Sequence, residues 1–416
     1  MAHTKADVLI IGGGVIGISC AYYLSLQGVK ATVIDKSEPG LGCSYGNAGW
    51  ITPCFALPLP LPGMLIKSLK WLADPMSPLH IQPKPSLLLF RWMFRFLRSM
   101  NWKTAHRSIQ ALTEISKFSL SEYSRMSQEF GTDFGFSQKG LLLVGLTSEG
   151  VQAAAQEQEL VGNYGIPGTR LDEAQVKELE PALTGPLTGG VYFPNEAHCE
   201  PLAFVRSLAQ KAKENGVEIV SGAEVFDFEV GSRKIHSVRT TRGSFYADQF
   251  VLATGSWSNA IARTLKIRVP VLGGKGYALI VKPFDPKPQI PLMLIEKKIA
   301  VTPRKDSVRL AGTLELVNLD FSINPKRVDS IIAGSQLCMN VPKELEVLEL
   351  WRGLRPCTPD GVPVIGYSSH FSNLILATGH QMLGLQSAPG TGKLVADLVT
   401  RVQPQFDPAP FCAERF

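Results

Sequence analysis

The sequence predicts an α/β chain, with α+β character in its mixed parts: a Rossmann-like dinucleotide-binding domain interleaved with a mixed-sheet second domain. Three observations predict it. Strand, glycine turn, helix and second strand follow one another in "DVLIIGGGVIGISCAYYLSLQGVKATVIDKS", Asp7 to Ser37. Strands ending in glycine turns recur in "QFVLATGSWS" (Gln249–Ser258) and in "NLILATGHQMLGLQSAPGTGKLVADLVT" near the C-terminus. Between them lie strands and helices of mixed period, too many for one core in a chain of 416 residues. The pieces predict residues 1–60, 190–258 and 345–416 as one discontinuous domain, and 61–189 and 259–344 as the other.

Along the chain, Val8–Ile11 is an unbroken apolar run of the kind buried in a parallel sheet, and Val29–Ile34 is its partner. The helix between them, Ile16–Leu26, stops at Gly28, a residue suited to a helix C-terminus. "ITPCFALPLPLPGM" (Ile51–Met64) carries prolines at 53, 58, 60 and 62, which forbid helix and central strand and leave an extended, polyproline-like loop. Helical periodicity governs Ser86 to about Ser127; Leu141–Leu146 reads as a strand. Pro201–Gly216 is an amphipathic helix followed by strands at 217–220 and 224–230. Tyr277–Val281, Ile299–Thr302 and Val308–Leu310 read as strands, and a helix follows near 325–338.

Composition narrows the class. The chain is 45% hydrophobic and 19% charged, with no low-complexity tract, as expected of a globular fold. Its net charge of +6 is spread thinly, which argues against a nucleic-acid-binding arm. The seven cysteines, at 20, 43, 54, 199, 338, 357 and 412, form no C-x-x-C pair and have no histidine at metal spacing. Reduced thiols in a cytoplasmic setting are expected, and no metal site. The N-terminal apolar run is too short and glycine-broken for a signal peptide, and no window supplies the ~20 apolar residues of a spanning helix.

Gly12-x-Gly14-x-x-Gly17 follows a strand and opens a helix, the context that a dinucleotide fingerprint requires. The first glycine makes the turn, the second admits a pyrophosphate, the third lets helix and strand pack, and the helix N-terminus faces the phosphates. Asp35 closes the second strand where a carboxylate binds ribose hydroxyls. The fingerprint alone leaves nicotinamide and flavin open. "GLGCSYGNAGWITP" (Gly40–Pro53) favours flavin: a Gly, Ser and Asn-rich run can lay backbone N–H groups against an isoalloxazine, where a nicotinamide enzyme would proceed to another β-α unit.

Four segments together carry a resemblance: the fingerprint, "SYGNAGWITP", "WRGLRPCTPDGVPVIG" (Trp351–Gly366) and "LATGHQMLGLQSAPGTGKLVADL" (Leu376–Leu398); "LGGKGYALI" (Leu272–Ile280) adds a fifth. The chain resembles the FAD-dependent amino-acid oxidoreductases, the superfamily of D-amino-acid oxidase, D-amino-acid dehydrogenase and glycine or sarcosine oxidase, and most of all the bacterial D-amino-acid dehydrogenases over nearly its whole length. The resemblance implies an FAD flavoprotein of amino-acid catabolism: oxidative deamination of D-amino acids to 2-oxo acids and ammonia, by hydride transfer from Cα to flavin N5. Electrons would pass to a quinone or another acceptor that is not O2. Cyclic D-imino acids, D-proline and hydroxy-D-proline, fit the same chemistry. The alternatives are an O2-using glycine- or sarcosine-type amine oxidase, a nicotinamide-dependent dehydrogenase, and a flavin-binding electron-relay subunit of a larger complex.

Residue by residue, the resemblance assigns Arg355 to the substrate carboxylate, which a guanidinium grips through two parallel hydrogen bonds that lysine cannot imitate. Tyr277 is a candidate phenol donor to the substrate, and Trp50 with the proline-rich loop a candidate apolar lid. His380 is a candidate through its backbone or its ring. The cofactor contacts it implies are Gly12, Gly14, Val15, Ile16, Gly17, Asp35 and Lys36 at the first turn; Ser44, Asn47, Ala48 and Gly49 in the following loop; Val225, Ala253, Gly255 and Trp257 beside the adenosine; and Gly379, His380, Met382, Leu383 and Gly384, whose N–H groups would face the flavin pyrimidine. Two departures bear on this. Asp35 stands where the family usually has Glu, and Trp50 where close bacterial enzymes often have Gln. His198, in "NEAHCEP", resembles a feature of relatives that act on cyclic imino acids.

"SLLLFRWMFRFLRSMNWK" (Ser86–Lys103) places Arg91, Arg95 and Arg98 on one helical face and Leu89, Trp92, Phe96 and Met100 on another, and no acidic residue occurs from Pro75 to Thr113. Two readings follow: a core-facing helix with solvated arginines, or peripheral contact with the cytoplasmic face of an inner membrane.

Overall fold

The computed structural model describes residues 5–62, the backbone of 79–81, and 87–416. Its first sheet is built around Ala6–Ile11, which is apolar and buried from Val8 onward. Ala31–Ile34 pairs with it in parallel on one side and the second half of Gly243–Leu252 on the other. Glu218–Val220 extends the first side; Leu374–Thr378 extends the second, and antiparallel Val364–Tyr367 closes that edge. Such strands are apolar on both faces because both are covered. Helix Val15–Leu26 lies on one face between Pro201–Glu214 and Ala388–Thr400. The other face is capped by an antiparallel meander, Val225–Gly231, Lys234–Thr240 and the first half of Gly243–Leu252, whose Phe228, Val238 and Phe245 join a core with Leu9 and Ile11. Strand order reverses between Ala6–Ile11 and Gly243–Leu252, and a crevice opens beyond their carboxyl ends, the usual ligand position in such sheets.

The second sheet has nine strands. In spatial order they are Val347–Cys357, Leu272–Val281, Val308–Val317, Ile299–Pro303, Leu292–Leu294, Leu141–Gly145, Gly189–Phe193 and Thr169–Asp172, with Leu79–Ile81 joining Val308–Val317 in parallel. Helix Pro325–Gln336 covers one face through Ile331, packed with Tyr277, Leu279 and Leu310. A short ribbon, Trp50–Ile51 against Ala197–His198, lies beside both sheets.

Several sequence expectations change. The helical stretch expected from Ser86 to about Ser127 is divided between two helices, Leu87–Ser99 and Trp102–Glu129. Asn101 breaks it, its side chain accepting from Thr104 N at 2.9 Å, because asparagine favours a cap over a helix interior. Residues 190–193 of strand Gly189–Phe193 and all of Val347–Cys357, counted by sequence with the dinucleotide-binding pieces, pair into the second sheet. Helix Ser148–Gly162 and strand Lys234–Thr240 were not expected. After Ile51 the proline-rich run makes a short turn, Pro53–Phe55, and no regular element follows to Pro62; its last two residues lie outside the described residues. Of the apolar face expected on the basic helix, Leu89, Trp92 and Phe96 pack inward with Leu272, Leu316 and Cys357, and Trp92 Nε1 donates to the Cys357 carbonyl at 2.9 Å. Among the described residues no helix is long and apolar enough to cross a membrane.

Candidate active site

The crevice is a long cleft lined by Gly12, Gly14, Val15, Ile16, Asp35 and Lys36 at one end and by His380, Gln381 and Gly384 at the other. Gly12 has φ +114°, and a Cβ there would overlap the Ala253 carbonyl; a Cβ on Gly17 would strike the Gly12 carbonyl oxygen. Glycine is therefore required twice within one turn, where backbone must meet backbone. Asp35 accepts from Gly13 N at 2.6 Å and from Ser37 N at 2.7 Å. Burial raises its pKa and those two donors work against the rise. Ser44 Oγ accepts from Val15 N at 3.0 Å, tying the next loop to the helix N-terminus, whose first turn carries no acid. Lys36 Nζ lies 4.5 Å above the Trp257 ring, and Val225, Ala253 and Gly255 complete that wall.

At the far end, Gly379 and Gln381 both have positive φ, and Gln381 N donates to the Pro356 carbonyl at 3.0 Å. The Gln381 side chain is buried in the cleft wall with its amide nitrogen unpartnered. A buried donor without an acceptor costs about 1–3 kcal/mol, so a ligand that accepts from it is favoured. The His380 ring bonds Thr391 Oγ1 at 3.0 Å, and burial pushes its pKa down to about 3. It is neutral and anchored to the last helix, which leaves the backbone capacity rather than an acid role. Asn47 lines the cleft and bonds the Met382 carbonyl at 3.3 Å, while Leu383 N donates to the His380 carbonyl. Gly17, Ala48, Gly49, Gly379, Met382 and Leu383 shape these loops without lining the cleft.

The catalytic candidates separate. Arg355 lies on Val347–Cys357, and its guanidinium lies against Gly276, where any Cβ would collide with it. Nη1 donates to the Thr313 carbonyl at 2.8 Å. Burial lowers its pKa, and no carboxylate pairs with it among the described residues. Its neighbours Pro356 and Cys43 line the cleft, so the charge stands just behind that wall. Tyr277 points to the opposite face of the sheet. Its hydroxyl donates to Glu315 Oε1 at 2.8 Å and accepts from Asn324 N at 3.1 Å, a fully engaged core phenol. Trp50 is no lid either. The indole is buried, stacks on Phe55 and donates to Thr302 Oγ1 at 2.8 Å, fastening the loop before it to the second sheet. His198 opens onto a different hollow, with Lys139, Glu200 and Arg304, and burial pushes its pKa to about 4.

Sequence reasoning missed Gln381 and Arg309. Arg309 is buried, donates to the Asn47 carbonyl at 2.7 Å, and leaves Nε unpartnered. One signal was available: a lone arginine inside the apolar strand "VRLAGTLELV".

A glycine turn, an acid at the end of the second strand, a helix N-terminus and an unpartnered amide donor fit an FAD spanning the cleft. Residues 7–398 match the family model described as FAD dependent oxidoreductase. The chain belongs to that family. As an FAD-dependent oxidoreductase it is similar to proteins named D-amino acid dehydrogenase. That of Granulibacter bethesdensis is 30% identical over 98% of this chain and 99% of its own. That of Helicobacter pylori strain J99 is 33% identical over 95% of both, and that of Chromohalobacter salexigens 32% over 99% of both. Among solved structures, glycine oxidase from Geobacillus kaustophilus aligns with TM-score 0.81 and 24% identity over 100% of both chains. L-proline dehydrogenase from P. horikoshii aligns with TM-score 0.80 and 22% identity, over 100% of this chain and 98% of its own. Those likenesses establish the shared fold of the FAD-dependent oxidoreductases.

Proposed function

We propose that the enzyme oxidises the Cα–N bond of D-amino acids to an imine, which water hydrolyses to a 2-oxo acid and ammonia, and that the two electrons pass to a quinone or another acceptor than O2. The observation that carries this reading is Arg355, a half-buried guanidinium beside the cleft with no carboxylate partner among the described residues. A partly desolvated cation without a counter-charge is costly, and a substrate carboxylate supplies the missing charge and two acceptors in the fork geometry. FAD, when bound, supplies the two-electron acceptor for the Cα hydride.

The chain's own residues hold and orient. Gly12, Gly14 and the first turn of Val15–Leu26 receive the pyrophosphate, Asp35 the ribose, and Gln381 with the backbone around His380 the electron-rich edge of the ring system. Arg355 fixes the carboxylate and thereby the direction of Cα–H, which makes the step effectively unimolecular. The substrate amine must be neutral, and the anchored His380 ring is not its base. Cyclic D-imino acids, D-proline and hydroxy-D-proline, meet the same requirement, since they carry the same carboxylate and Cα–N bond. The D preference is supported by the names of the similar proteins at 30–33% identity.

Anaerobic mixing with D- and L-amino acids, D-proline and 4-hydroxy-D-proline tests the reading by loss of the visible flavin absorbance. D-substrates should bleach it. Bleaching by none of them points to an electron-relay subunit, and peroxide release in air without added dye to an oxidase. Arg355→Lys should lower kcat/KM about 10²–10³-fold while FAD stays bound, because one ammonium replaces a bidentate fork. Unchanged kinetics would remove Arg355 from the carboxylate site.

A further inference from the structure

We propose that helix Leu87–Ser99 seats the protein on an anionic lipid surface. Leu87, Phe90, Phe94 and Leu97 would enter the boundary between headgroups and acyl chains, and Arg91 and Arg98 would rest on lipid phosphates. The inference goes beyond the oxidation chemistry and does not depend on it.

The helix has two apolar faces, and the protein uses one. Trp92 is 2% exposed, and with Leu89 and Phe96 it packs inward. The opposite face leaves Leu87 65%, Phe90 71%, Phe94 60% and Leu97 47% exposed. Those positions fall at i, i+3, i+7 and i+10 and form one continuous stripe. Scattered exposed apolar residues need no explanation, but two phenylalanines and two leucines in one row do. Exposed Arg91 and Arg98 flank the stripe, and neither forms an ion pair among the described residues. Beyond the break at Asn101 the next helix opens on Trp102, 52% exposed, followed by exposed Lys103 and Arg107.

Charge decides the occupant. From Pro75 to Thr113 the sequence contains no aspartate or glutamate, so the helix that carries the apolar row brings only basic charge to it. A second copy docked by the same face would bring arginines against arginines. An anionic bilayer offers phosphates for the cations and a hydrocarbon boundary for the rings, the arrangement of interfacial helices. At 13 residues the helix is too short to span and would lie in the plane of the surface.

Sedimentation of the FAD-loaded protein with vesicles of phosphatidylcholine containing phosphatidylglycerol, against pure phosphatidylcholine, tests the proposal. Binding to the anionic vesicles alone, weakening as salt rises, is expected. Phe90→Ser with Phe94→Ser should reduce partition at least about tenfold. Arg91→Gln with Arg98→Gln should reduce it roughly fivefold per charge and erase the preference for phosphatidylglycerol. Both pairs should keep flavin binding and activity with a water-soluble dye, since neither touches the cleft; should the phenylalanine pair fail to fold, the arginine pair carries the test. Equal binding to both vesicle types, no binding to the anionic ones, or a dimer that the phenylalanine pair dissolves would overturn it.

Discussion

Arg355 and Tyr277 are large polar residues on adjacent strands of one sheet, and the parity of the pairing sends them to opposite faces. Arg355 meets Gly276 and the wall of the cleft; Tyr277 meets Glu315 and the N-terminus of a helix. Tyr277→Phe should therefore cost stability rather than catalysis. A loss of about 1–3 kcal/mol in urea unfolding is expected, because Glu315 loses its donor, with kcat/KM changed less than about twofold. A tenfold fall in kcat/KM at unchanged stability would return the phenol to the site. Glu196 provides a second residue-scale test. Burial raises its pKa from 4.5 to about 8, while a hydrogen bond from Cys54 N works against the rise. A raised carboxyl pKa means the folded state holds the proton more tightly than the unfolded one. Its contribution is present in full below pH 4.5 and is lost as pH rises to about 8, by up to about 1.4 kcal/mol per pH unit. Glu196→Gln should flatten this limb and raise the denaturation midpoint relative to wild type at pH 8 but not at pH 4.5; parallel pH profiles would exclude it.

At the scale of elements, the first turn is the least tolerant. Gly17→Ala should abolish FAD retention, read as the ratio of flavin to protein absorbance after gel filtration, because the new methyl displaces the Gly12 carbonyl and with it the turn. This turn was legible in the sequence because everything it needs is local: apolar strands, three glycines and an acid within some 30 residues. Arg355 was legible only through a resemblance, since a lone arginine says nothing by itself. What stayed hidden depends on distant partners. "WRGLRPC" shows no alternation of its own and becomes a strand because Leu272–Val281 runs beside it. The face taken by Tyr277 follows from that same register, and the indole of Trp50 turned inward because Thr302 and Phe55 wait there. The exposed row on Leu87–Ser99 was masked by a second apolar row on the same helix, and burial alone tells them apart.

At the scale of the molecule, the cleft is assembled from the beginning, middle and end of the chain, and a bound flavin joins all three. Removing FAD should lower the thermal midpoint, and FAD added at about a thousandfold above its Kd should restore about 4 kcal/mol, seen as a concentration-dependent midpoint in calorimetry. An unshifted midpoint would mean that the pieces hold together without it. The strand Leu374–Thr378 beside Gly243–Leu252, and the helix Ala388–Thr400 against Val15–Leu26, carry a consequence for biosynthesis. Translation at about 5–20 residues per second makes the glycine turn long before the wall formed by His380 and Gln381. A nascent chain has half a cofactor site until His380 and Gln381 are made. Loading with flavin thus waits for that segment, and a chain truncated before Leu374 should yield a colourless protein.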